Sequence, residues 1–111
     1  MTANEYQELA LRTLNKALPI DQVLVDGVLG LNGEAGECAD IVKKHLFQGH
    51  SLDRVHLAKE LGDVAWYLAV TAYAIGCDLD KIFQMNIDKL TARYPDGFCE
   101  LRSRNRIAGD V

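Results

Sequence analysis

No apolar run in the chain approaches the roughly 20 residues that a membrane-spanning helix needs, so no bilayer partner is expected. There is no basic surplus either. Lys and Arg number 12 against 16 Asp and Glu, and the net charge of -4 disfavours nonspecific binding to nucleic acid, whose phosphates demand a basic face. A phosphate ligand would therefore need a cation to mediate. The chain has no C-x-x-C pair. Cys38, Cys77 and Cys99 are odd in number and widely spaced, which fits reduced thiols better than a disulfide framework or a zinc site. The opening stretch MTANEYQELALRTL has early acids and lacks the basic n-region and apolar core of a secretory signal, which makes the cytoplasm the expected location. Strand alternation, internal repeats and low-complexity linkers are absent as well.

What is present is helical periodicity. At 111 residues the chain fits a single domain, 1–111, long enough to bury roughly two-thirds of its unfolded surface. Apolar residues from Tyr6 to Leu18 predict a first helix over about 3–18, with Thr2 or Asn4 as cap and Pro19 as its end. A second helix is expected from Asp21 to Phe47, stopped by Gly49, and a third from Ser51 or Asp53 to Gly76. The fourth, capped by Asp78, runs to Tyr94 and Pro95. Residues 99–111 show little periodicity and an arginine cluster, and are expected to be a loosely ordered tail or a segment packed on a partner subunit. The fold class is thus all-α, a single domain like a four-helix bundle. The second and third helices are apolar around more than half of their circumference, so helices are expected to be shared in a homodimer or homotetramer.

Gly27, Gly30, Gly33 and Gly36 recur every three residues in the second helix. Glycine costs about 1 kcal/mol relative to alanine in a helix interior, so the run implies either a face closely approached by another backbone or ligand, or a break.

Four carboxylates stand out. Glu34 and Glu37 in GEAGE, and Glu60 and Asp63 in KELGD, are pairs three residues apart, which on a helix project together, about 4.5 Å apart along the axis. Their neighbours are glycine and apolar residues rather than surface residues. No Lys or Arg lies four residues on from any of them to make an ordinary salt bridge. Four acids from two facing helices repel unless a cation sits among them, and an all-oxygen set suits Mg2+, with Mn2+ as substitute.

The segments GLNGEAGECADIVKK and KELGDVAWYLA, with 22 residues between Glu37 and Glu60, and then NIDKLTARYPDGF, resemble the MazG-type all-alpha nucleoside triphosphate pyrophosphohydrolases. The resemblance covers about residues 25–98. Its mark is an ExxE pair followed by an ExxD pair, shared with phosphoribosyl-ATP pyrophosphatase-like and dUTP- or dCTP-specific relatives. It implies that Glu34, Glu37, Glu60 and Asp63 bind Mg2+. It also implies that a (d)NTP is split into (d)NMP and pyrophosphate, in a role such as nucleotide-pool cleansing. Glu34 or Glu37 is the expected acid that also handles the attacking water, and the sequence does not separate the two. Asn86, Lys89 and Arg93 form one polar stripe of the fourth helix, and the resemblance favours Asn86 and Lys89 as substrate contacts. Lys44 is a candidate for the departing pyrophosphate, and Trp66 or Tyr67 could stack on a base, although at that spacing one of them is expected to pack in the core.

Two readings of other classes compete. A carboxylate-bridged di-metal redox bundle normally needs Glu-x-x-His motifs, and neither acid pair has a His three residues on. A non-catalytic helical interaction module would use the acids to bind a basic partner.

Overall fold

The computed structural model describes residues 1–111 and contains five α-helices and no strand. They are α1 (Ala3–Ala10), α2 (Ile20–Phe47), α3 (Arg54–Ala74), α4 (Leu79–Arg93) and α5 (Glu100–Arg104). Each boundary has a local cause. Asp53 caps α3 by accepting from the His56 N–H at 2.9 Å, and Asp78 caps α4 through Lys81 N–H at 2.8 Å. Gly49 and Gly76, at φ 72° and 75°, supply the left-handed residues after α2 and α3. Pro19, rather than Asp21, stands at the N-cap of α2, and Asp21 lies in the first turn.

Helix α1 ends well short of Leu18. The Ala10 carbonyl accepts from Trp66 Nε1 at 3.0 Å and from Thr13 Oγ1 at 2.9 Å, which draws it away from continuing the α-helical ladder. The chain tightens into a 3-10 turn at Leu11–Thr13, and Asn15 then accepts the Ala17 N–H in a local turn. The C-terminal segment also differs from the expected loose tail. It forms α5 and folds back on α4, where Asp110 pairs with Arg93.

Helix α2 runs unbroken through its four glycines, and two of them explain why. A Cβ on Gly30 would collide with the Tyr67 ring, and one on Gly27 would press on Thr71. Along the hairpin of α2 and α3 the pairs Gly27–Thr71, Gly30–Tyr67 and Glu34–Asp63 climb one helix while descending the other, so the helices are antiparallel and close. Gly33 and Gly36 meet nothing within 4 Å.

The core sits at one end of this hairpin. Ala10, Ala69, Ala72 and Leu79 form one buried cluster, Leu14, Val23 and Val70 another, and Trp66 packs against both. Gln7 ties the end together, donating to the Ala69 and Cys77 carbonyls and accepting from the Leu79 N–H at 3.0 Å. Asn4 accepts the next N–H, that of Asp80, so the donors of the first turn of α4 are satisfied by side chains.

Only nine of 111 residues are buried. The radius of gyration, 17.1 Å, exceeds the roughly 13 Å of a compact domain of this length. One chain therefore does not close a four-helix bundle. The outer face of the hairpin leaves Leu29, Phe47 and Val55 67%, 79% and 67% exposed.

Candidate metal centre and its surroundings

The seam that brings Gly27 and Gly30 against α3 carries Glu34 at its next positions, seven and four residues on, and Glu60 and Asp63 approach from the facing helix. One carboxylate oxygen from each of Glu34, Glu60 and Asp63 lies within 4.8 Å of the others. Glu34 and Glu60 are half-buried and Asp63 is exposed. Partial burial, then the hydrogen bond that Glu34 shares with Glu60 and the charges of Asp63, Glu60 and Glu37, raise the Glu34 pKa above the ordinary carboxylate value. These acids are crowded without a balancing cation from Lys or Arg.

The donor set fits a hard divalent ion. The three acids offer an all-oxygen set within 4.8 Å of one another, which side-chain movements can close around such an ion. Glu37, one turn along α2, is exposed and stands outside the triple.

The other residues expected at the site are distributed differently. Lys44 is held by Asp40 at 2.8 Å, with Lys43 on the same acid at 3.3 Å. The hydrogen bond to Asp40 raises the Lys44 pKa, with a smaller contribution from the charge of Glu37. Both members of the pair are well exposed, so the contact is weak and Lys44 can exchange partners. Trp66 is committed to the core by its packing and by the hydrogen bonds from Nε1 to Ala10 and Thr13. Tyr67 meets it edge-on at 4.9 Å between ring centres and fills the space over Gly30. Helix α4 packs on α1 and, through Leu79, against Ala69 and Ala72 of α3. On that helix Asn86 and Lys89 are exposed, while Arg93 is taken by Asp110.

Three further groups lie close to the expected site residues. His56 Nε2 lies 3.1 Å from Glu60 Oε1, a cation-capable partner four residues before the acid. Asp40, an acid given no role by the sequence, is the partner of both Lys43 and Lys44. Tyr6, read as an apolar position of the first helix, has its pKa raised by burial and by the charge of Asp63. It lines an apolar cleft of about 310 Å3 with Ala65, Leu68 and Phe83 between α1, α3 and α4. Its helical period marked Tyr6 for the core, and only the tertiary fold brings its hydroxyl toward an acid.

Residues 27–98 match the MazG nucleotide pyrophosphohydrolase domain, well over half of the chain and all four acids. The chain belongs to this family. As a MazG-family chain it is all-helical, as the family's fold is. It is 39% identical over 82 residues to the Gene 37 protein of Mycobacterium phage L5, an alignment that covers 70% of this chain and 72% of that protein. That name specifies no activity. No solved structure matches the chain. Helix α1, the start of α2 and α5 lie outside the family match.

Proposed function

We propose that the chain is a Mg2+-dependent nucleoside triphosphate pyrophosphohydrolase that converts a (d)NTP and water to (d)NMP and pyrophosphate, in nucleotide-pool cleansing. The observation that carries this reading is the convergence of Glu34, Glu60 and Asp63 within 4.8 Å, inside the family-matched span. These three carboxylates would hold the ion, with Mn2+ as a substitute. When bound, the ion supplies neutralisation of the triphosphate charge.

Hydrolysis forms a bond between the water oxygen and the α-phosphorus and breaks the α–β bridging bond. Glu37 stands outside the triple with its carboxylate free, and in this reading it orients the water and accepts its proton. Lys44 exchanges Asp40 for the departing pyrophosphate. Asn86 and Lys89 donate to the substrate from the exposed stripe of α4, and Arg93 joins them when it is released from Asp110. Trp66 acts in this scheme by packing α3 against α1 rather than by touching the base.

The active form is a homo-oligomer, a homodimer or homotetramer, in the cytoplasm. Exposed apolar residues on the hairpin and the large radius of gyration support a second copy packed along α2 and α3. In that arrangement α4 of one copy can face the acids of another.

Incubation with a panel of NTPs and dNTPs plus Mg2+ tests the activity. Release of NMP with pyrophosphate supports it. Orthophosphate as the only phosphate product, or no turnover of any nucleotide, overturns it.

A further inference from the structure

The chain is acidic overall, yet four of its 12 Lys and Arg residues line one cavity of about 250 Å3 between α4 and the C-terminal segment. Lys89 and Arg93 come from α4, Arg102 and Arg106 from the segment that follows it, and Asp110 is the only acid on the wall. Asp110 does not sit there loosely. Arg93 donates to it through Nε and Nη2, both at 2.7 Å, and the two side chains are 10% and 16% exposed.

That parallel, two-pronged contact is the geometry in which a guanidinium takes a phosphate as readily as a carboxylate. Arg93 first, and the charges of Arg106 and Lys89 after it, hold the Asp110 carboxyl below its usual range. A single negative charge thus serves a wall of cations that outnumber it, and the cavity keeps a positive balance. A phosphate group would match that balance better, since it brings more charge and more acceptor oxygens.

We propose that this cavity is a binding site for a phosphate-bearing anion, and that Asp110 fills it as a tethered carboxylate until the anion displaces it. Its volume lies below the roughly 300–1,000 Å3 of sites that enclose a whole small molecule, so it accommodates a phosphate or pyrophosphate group rather than a complete nucleotide. The segment after α4 is then a strap: it contributes Arg102 and Arg106 to the site and blocks that site with its own acid. The acid cluster of α2 and α3 attracts a cation and this cavity an anion; Lys89 and Arg93 are shared with the hydrolytic reading, whereas anion binding without metal, its dependence on Arg102 and Arg106, and the block by Asp110 do not rest on it.

The test is calorimetric titration of the full chain with inorganic pyrophosphate in chelator, where the carboxylate cluster carries no metal, for the wild type and for Asp110→Asn. Releasing Arg93 from a competing charge-assisted contact should tighten pyrophosphate binding by about tenfold. The double change Arg102→Gln with Arg106→Gln should remove it. Asn at 110 preserves shape, so a bond that merely pinned the tail would lower stability and leave affinity unchanged. Equal or weaker affinity in Asp110→Asn, or affinity that survives loss of both tail arginines, overturns the proposal. As a check on the unaltered chain, pyrophosphate should shift the carboxyl resonance of Asp110, and a resonance that stays put overturns it too. A nonhydrolysable NTP that binds in chelator with the same arginine dependence would identify the anion as a substrate's phosphate chain. Binding of pyrophosphate alone would identify it as the free ion.

Discussion

The ring of Tyr67 lies so close over Gly30 that a methyl group on that glycine would collide with it. Gly30→Ala should therefore destabilise the chain by about 1–3 kcal/mol through overpacking of α2 against α3. Gly33→Ala meets nothing within 4 Å and should instead gain up to about 1 kcal/mol of helix stability. Urea denaturation of both variants checks the pair. A loss at Gly33 would reveal another chain or a ligand against that face.

The acid cluster predicts a crossover. In chelator, Glu34→Gln should raise the melting temperature, because it removes a charge that burial and its neighbours already disfavour. With Mg2+ at a hundred times its dissociation constant, the wild type should gain about 2.7 kcal/mol and overtake the variant. Thermal melts with and without metal measure both arms. Identical responses in the two proteins would remove Glu34 from the metal centre.

The contact between Arg93 and Asp110 predicts a pH dependence. The folded-state pKa of Asp110 is depressed below its unfolded value, so its contribution to stability is present above the ordinary carboxylate range and is lost as pH falls through the depressed value. NMR titration should find the Asp110 carboxyl ionising below about 3.9, the ordinary aspartate value, and returning toward it in Arg93→Gln.

Removing Gln7 should be costly for so small a change. Gln7→Leu keeps the approximate size but leaves the Leu79 N–H and the Cys77 carbonyl without their partner, a loss of about 2 kcal/mol or more. Chemical denaturation measures it.

Much of this architecture was legible in the sequence, because caps and stops act locally. Asp53, Asp78, Gly49 and Gly76 mark helix ends through neighbours within a few residues, and the structure uses all four. The facing of Glu34 with Glu60 and Asp63 was legible for a related reason: two long helices joined by a short loop must lie antiparallel. Contacts between segments remote in sequence were not legible. The early end of α1 depends on Trp66, more than fifty residues away, taking the Ala10 carbonyl. The return of the tail onto α4 is marked by a polar pair, Arg93 and Asp110, which leaves no periodic trace. His56 beside Glu60 follows the helical i,i+4 spacing and is local in the same sense as the caps.

The knot at Gln7 has a consequence for what counts as a unit here. The family match begins at residue 27, but Ala10, Leu14 and Val23, three of the seven buried apolar residues, precede it. A fragment cut at the family boundary would lose them together with the side chain that satisfies the start of α4. The family-matched span and the folding unit therefore do not coincide: the helices of the matched span are held in place by residues that precede it.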